Sequence, residues 1–327
     1  MRLTNEQIIS CAVGSVNTKF TDGLLHFGKC TDKQTEAFYA LSSTLGQRAT
    51  ATTGVRLDFH TNSPKISFFA SKGEKFDVAL DGITVKQFYM SEYREKNAPA
   101  VIDVISPKDK KSGDDVRVTV YYPSHDDGGV IDYVELCDGS TFIPHKFDRK
   151  FLFIGDSITQ GWNTKYDSLS FALRLSELYN AESVVNGVGG AYFHESIFDT
   201  PDFDPDTVFI AYGTNDFSHF GTLDELKYHA ESFFNKVKCE YRDKGKNVIY
   251  ISPITRFDKT KNRPMGSFTE LRKLLIELAT ERGFYHVDGL MLVPPLPDLF
   301  ADTLHPNDTG FLHYTSSLYV MTADILK

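Results

Sequence analysis

The chain has 327 residues, 41% of them hydrophobic and 24% charged, an ordinary globular composition able to bury full cores. At about 150 residues per domain, this length points to two domains. The formal net charge of -9 argues against nucleic acid or an anionic membrane as the natural partner, since both demand a basic face.

The amino terminus, MRLTNEQIISCAVGS, lacks the charged-then-apolar pattern of a secretory leader. No apolar run approaches the roughly 20 residues of a membrane span. Cys11, Cys30, Cys137 and Cys239 form neither a CxxC pair nor a Cys/His zinc spacing. They read as reduced thiols of a cytoplasmic protein, with a Cys11–Cys30 disulfide as the alternative.

The first 140 or so residues read as β. Val55, Leu57 and Phe59 alternate with polar neighbours, as do Phe76, Val78 and Leu80, and then Val116, Val118 and Val120. This period of two predicts half-buried strands. Asp81-Gly82 between FDVAL and ITVKQF is a hairpin signal, because both turn positions need positive φ. Loops such as SPKDKKSGDD and PSHDDGG separate the later strands, and VIDYVEL (130–136) reads as the last one. Many short strands with turns between them imply an all-β sandwich or jelly roll. The mixed segment DGSTFIPHKFDR marks the boundary, giving domains at 1–145 and 146–327.

After Lys150 the pattern changes. KFLFI, ESVVN, DTVFIAY, NVIYIS and YHVDG alternate with helix-like stretches. Thr222 with Glu225, and Ser267 with Glu270, read as capping boxes, and Gly245 as a helix stop. Leu223, Leu226, Ala230, Phe233, Val237 and Tyr241 mark one apolar helix face. Such alternation demands a mostly parallel sheet with helices on both faces.

Three of these strands end in unusual sequence: Gly155-Asp156-Ser157, then Asn186-Gly187-Val188-Gly189-Gly190, then Gly213-Thr214-Asn215-Asp216. In a parallel sheet the three ends share one edge, where open α/β sheets place their chemistry. Asp302-Thr303-Leu304-His305-Pro306 precedes the final helix. The parts fit a serine hydrolase. Ser157 is the candidate nucleophile, His305 the base and Asp302 the acid that fixes the imidazole. The Ser157 N–H, a glycine N–H of the second loop and the Asn215 amide are candidate oxyanion donors.

On these four blocks (GDSITQG, NGVGG, GTND and DTLHP) the stretch from about Lys150 to the end resembles the SGNH, or GDSL-type, hydrolases. The resemblance implies a flavodoxin-like domain, Ser157 as nucleophile, Asn215 as oxyanion donor, and His305 with Asp302 completing the triad. Aligning on the family's glycine selects Gly190, with Gly187 and Gly189 left open. The order of domains also resembles carbohydrate O-acetyl esterases of microbes.

Trp162 and Tyr192, with Phe193, are candidates to line a pocket or stack on a sugar ring, against core packing as the competing reading. Asp156 is a further candidate substrate contact. NGVGG lacks the spacing of a nucleotide loop. His194-Glu195 and His219 show no metal-pairing spacing and read as polar loop residues. The expected function is hydrolysis of a short-chain ester, acetyl on a carbohydrate, through an acyl-serine, with no metal or cofactor. Its rivals are a lipid- or thioester-directed acylhydrolase of the same fold and a non-catalytic carbohydrate-binding protein. The first domain's role and a homo-oligomer stay open.

Overall fold

The computed structural model describes residues 1–108, 114–125, 128–258 and 263–327. The two loops expected around 106–115 and 123–129 therefore fall in part, at 109–113 and 126–127, outside the described residues. Arg56–Thr61, Val116–Tyr121, Lys75–Leu80 and Ile83–Tyr89 form one antiparallel sheet in that spatial order, and Ala12–Val13 and Ile143–Pro144 also pair with Arg56–Thr61. A second antiparallel sheet runs Val130–Leu136, Lys65–Lys72, Ala100–Asp103. Phe59 and Val118 of the first sheet share one buried cluster with Phe68 and Val134 of the second, which makes the pair a sandwich. Asp81 (φ 49°) and Gly82 (φ 80°) form the expected tight hairpin turn.

The period-two strands are not half exposed. Val116–Tyr121 is buried at every position, and Arg56–Thr61 at all but His60. Their polar face packs against the α/β part of the chain. There Arg117 donates to both Asp58 oxygens at 2.8 Å and to Glu177 at 3.0 Å. Arg56 reaches the Ser183 hydroxyl and the Ala181 carbonyl, each at 3.3 Å. Polar alternation here marks a buried junction, where buried charges persist because they are paired.

The wholly β reading of the first 140 residues also needs correction. Asp32–Leu41 and Ser43–Ala49 are helices, the former opened by a capping box between Thr31 and Gln34. Their Phe38, Leu45 and Ala49 are buried with Leu152, Ile154 and Val184 of the parallel sheet, so this segment belongs to the second core.

Five parallel strands follow, in spatial order Ala181–Gly187, Arg149–Gly155, Thr207–Ala211, Asn247–Ile251, Tyr285–Val287. This is the flavodoxin-like order 2-1-3-4-5, with its switch point beside Arg149–Gly155. Alternate residues of that strand serve opposite faces. Leu152 and Ile154 meet Leu223–Glu240 and Phe268–Glu281, while Phe151 and Phe153 meet Phe171–Leu178 and Asp308–Thr322. Ser267 forms its full capping box. Thr222 caps its helix, but the Glu225 carboxylate reaches back one residue further, to the Gly221 N–H at 3.1 Å. Gly245, in the left-handed conformation, closes the short turn Arg242–Lys244 beyond the helix end at Glu240.

Asp58→Ala would leave Arg117 with Glu177 as its one carboxylate and Arg56 with none among the described residues. It should lower the unfolding free energy by about 3–5 kcal/mol in urea denaturation, against little change for an exposed carboxylate such as Asp138.

Candidate active site

Gly155 pairs in register with Gly187 on one side and Ala211 on the other, so the three following loops start level with one another. A Cβ at Gly155 would lie 2.1 Å from Thr159 Oγ1, so the turn back over the strand end needs glycine. Asp156 is extended and caps the one-turn helix Ser157–Gln160, its Oδ1 accepting the Ile158 N–H at 2.9 Å. With Asp156 only 1% exposed, its carboxylate serves the turn from inside and is not available as the expected substrate contact.

Ser157 starts that helix. Its Oγ lies 2.8 Å from His305 Nε2, and His305 Nδ1 lies 2.8 Å from Asp302 Oδ2. The other Asp302 oxygen accepts the backbone N–H groups of Leu304 and His305 at 2.7 and 2.8 Å. Partial burial pushes the Asp302 carboxyl up, but these N–H groups and the His305 ring outweigh it and hold it below the ordinary carboxylate value. An ionised Asp302 only accepts, so Nδ1 carries the ring hydrogen and Nε2 is left to accept from the Ser157 hydroxyl. Asn163 adds a bond from its amide to Asp302 Oδ2 at 3.2 Å.

The second loop distinguishes its glycines. The Gly187 carbonyl accepts from Lys29 at 2.7 Å, and a Cβ there would meet the Gln160 backbone nitrogen at 2.5 Å. The Gly189 N–H donates to Gln160 Oε1 at 2.8 Å and its carbonyl accepts from Arg48 at 2.8 Å. Gly190, at φ 87°, gives its N–H to no group among the described residues. Asn215 donates one amide hydrogen to the Ala191 carbonyl at 2.9 Å and keeps the other. The site thus holds a hydroxyl, an imidazole that can take its proton, a carboxylate behind it, and spare amide donors, the set that acyl transfer requires.

Trp162 stands beside the triad, 6.4 Å ring to ring from His305 and 4.9 Å from His125 of the sandwich. A cavity of about 700 Å³ opens there, bordered by Trp162, Asn163 and His125. Tyr192 lies on the opposite loop, half-buried and stacked on His219 at 3.5 Å, while Phe193 is core. The long helix brings His229 to His194 and Glu195, a cluster that no sequence spacing signals. His229 Nδ1 lies 2.8 Å from Glu195, and the Ser196 N–H donates to His194 Nδ1. The His194 and His229 rings stack with their planes 24° apart, and the three candidate ligand atoms lie within 4.8 Å of one another.

Behind the site, Asp156 and Asp216 are both buried. Burial pushes each carboxyl up to about 7, helped at Asp156 by the nearby Asp216 charge and opposed by the backbone N–H each accepts. Asp216 takes the Phe193 N–H at 2.8 Å, and its second oxygen has no partner among the described residues. Cys11 and Cys30 are free thiols. Sequence reading missed Asn163, Gln160, Arg48 and Lys29. Only Gln160 lies inside a recognisable block, and the others are ordinary polar residues until folding brings them here.

Residues 153–311 match the model of the GDSL-like lipase/acylhydrolase family. No curated protein matches the chain. Among solved structures it is similar to a salicylyl-acyltransferase from a tetracycline biosynthetic pathway, with a TM-score of 0.76 at 16% identity over 96% of this chain and 94% of that one. It is similar to a GDSL-like lipase of Bacteroides ovatus, with a TM-score of 0.75 at 15% identity over 100% and 98%. A family two carbohydrate esterase of Clostridium thermocellum, solved with cellohexaose, gives a TM-score of 0.63 at 15% identity over 85% and 94%. These likenesses, which span both parts of the chain, concern the fold.

A carboxyl raised in the folded state contributes stability that is complete below its unfolded value near 4 and lost as pH rises through about 7. Asp216→Asn removes that loss. Its melting temperature minus that of wild type should therefore climb between pH 5 and pH 8; a flat difference would mean that Asp216 is ionised throughout.

Proposed function

We propose that this chain, whose residues 153–311 match the GDSL-like lipase/acylhydrolase family, is a serine esterase that removes short acyl groups, acetyl above all, from carbohydrate through an acyl-serine. The observation that carries the reading is the chain of two 2.8 Å contacts from Ser157 through His305 to Asp302. Ser157 is inert until its proton leaves. His305 Nε2 takes it as the oxygen adds to the ester carbonyl, and Asp302 steadies the imidazolium that forms.

Charge then develops on the carbonyl oxygen. Gly190 is the proposed loop donor because its N–H is unengaged, and it acts with the Ser157 N–H and the spare hydrogen of Asn215. Collapse of the tetrahedral species expels the alcohol, which takes the proton back from His305. A water activated by the same imidazole then releases the acid and restores the hydroxyl. The cavity bordered by Trp162 and Asn163 runs from beside the His305 ring toward the sandwich, and its indole is a face on which a sugar ring can stack. The Clostridium thermocellum neighbour, solved with an oligosaccharide, supports the same substrate class.

Ser157→Ala should abolish release of p-nitrophenol from p-nitrophenyl acetate with the melting temperature preserved; unchanged turnover removes Ser157 from the mechanism. Asn215→Ala should lower kcat by about 100-fold with little change in KM, since one oxyanion donor is worth about 3 kcal/mol of barrier. Turnover should fall from acetyl to butyryl to octanoyl esters. Acetate release from acetylated sugars that is absent in Trp162→Ala but present in wild type would place the sugar on the indole.

A further inference from the structure

We infer that Lys29 and Arg48, both from the amino-terminal segment, are positioning residues of the oxyanion site: they hold the Gly187 and Gly189 carbonyls outward so that the Gly190 N–H stays free for the substrate oxygen. The inference rests on the esterase reading above.

Lys29 is wholly buried, yet its ammonium contacts no carboxylate among the described residues. Buried lysines are rare without an acidic partner, because the charge loses its hydration. Here the compensation is one hydroxyl, Thr53 Oγ1 at 2.8 Å, and one carbonyl, Gly187 at 2.7 Å. Burial lowers the ammonium to about 8, while the adjacent Cys30 thiol is raised to about 11 and so stays neutral near pH 7. A cation kept at this cost is spent on a single backbone carbonyl of the catalytic loop.

Arg48 acts two residues further along. Its helix, Ser43–Ala49, lies on the core of the parallel sheet, and Nη1 donates to the Gly189 carbonyl at 2.8 Å. The guanidinium sits 5.3 Å from the centre of the Trp162 ring. The Gly189 N–H is fixed from the other side by Gln160, whose own amide is held at 2.7 Å by the Ser124 carbonyl of the sandwich. Both ends of the Gly189 residue are thus tied to elements outside the loop.

The Gly189 carbonyl and the Gly190 N–H belong to one peptide plane, which Arg48 fixes, while Lys29 and the Gly155 carbonyl (3.0 Å from the Val188 N–H) fix the Gly187–Val188 plane that leads into it; glycine backbones otherwise rotate such planes readily. A flipped peptide would turn a carbonyl oxygen toward the site, where it would repel the developing oxyanion in place of stabilising it. A charged donor on each carbonyl opposes that flip. The amino-terminal segment is therefore a working part of the catalytic site, and the parallel sheet with its four blocks does not finish the oxyanion site alone.

Lys29→Met, Arg48→Met and Arg48→Lys test this, with active serine counted by fluorophosphonate labelling and each rate expressed per labelled site. Each methionine variant should lose about tenfold or more in kcat on p-nitrophenyl acetate with KM within about twofold, and Arg48→Lys, which keeps a cation, should recover part of the loss. Arg48 is half-exposed, so its variants fold even if Lys29→Met does not. Unchanged kcat per labelled serine in the Arg48 variants, with only the melting temperature lowered, would reduce the contact to a structural staple and overturn the inference. A wild-type protein that neither turns over the ester nor takes the label would instead overturn the esterase reading beneath it.

Discussion

The level register of three parallel strands is the constraint on which the rest depends. Gly155 is flanked by Gly187 and Ala211, so the chain leaves the sheet at one height in three places. Loops that begin 24 to 56 residues apart then have nowhere to go but the same rim. His305 arrives from the far end of the chain, and the bend that carries it is tightened by two N–H groups on one Asp302 oxygen. The Ser157–His305 and His305–Asp302 contacts follow from strand pairing and a single carboxylate turn.

The second organising feature is where polar groups are buried. In most domains the strand face away from the core meets water; here the outer face of the first sheet meets the α/β part through Arg56, Asp58, Asp77 and Arg117. Charges held this way contribute little net stability, but they tolerate few alternative alignments of the two parts. Alignment matters because Ser124, His125, Lys29 and Arg48 all approach the rim that carries Ser157 from the amino-terminal part. The family match begins only at residue 153, whereas the solved neighbours at a TM-score of about 0.75 follow the chain nearly from end to end. That contrast fits an amino-terminal part that is built into the fold more deeply than its sequence advertises.

Individual residues are legible in the sequence or hidden in it for physical reasons. Asp81-Gly82 was legible because positive φ at two successive positions leaves few residue choices. The helices at 32–41 and 43–49 were not read, although the Thr31 and Gln34 cap was there, because a weakly apolar stretch among strands offers little periodicity. Asp156 precedes Ser157 in the sequence and reads as available, but capping the Ile158 N–H turns its carboxylate inward. The side chains that engage Gly187 and Gly189 in NGVGG lie 29 to 158 residues away, so no local pattern tells its three glycines apart.

By itself the sequence determined the strand–helix alternation, the hairpin turns and the four blocks, since these depend on neighbours within a few residues: caps, periodicity and backbone permissiveness. It also determined which residue types could carry ester chemistry. The tertiary structure alone decided that Arg48 and Lys29 meet the Gly189 and Gly187 carbonyls, that Asn163 meets Asp302, that the polar face of the sandwich is buried, and that the Gly190 N–H has no partner among the described residues. Those outcomes depend on which distant groups satisfy one another once water is excluded, and no local pattern encodes that pairing.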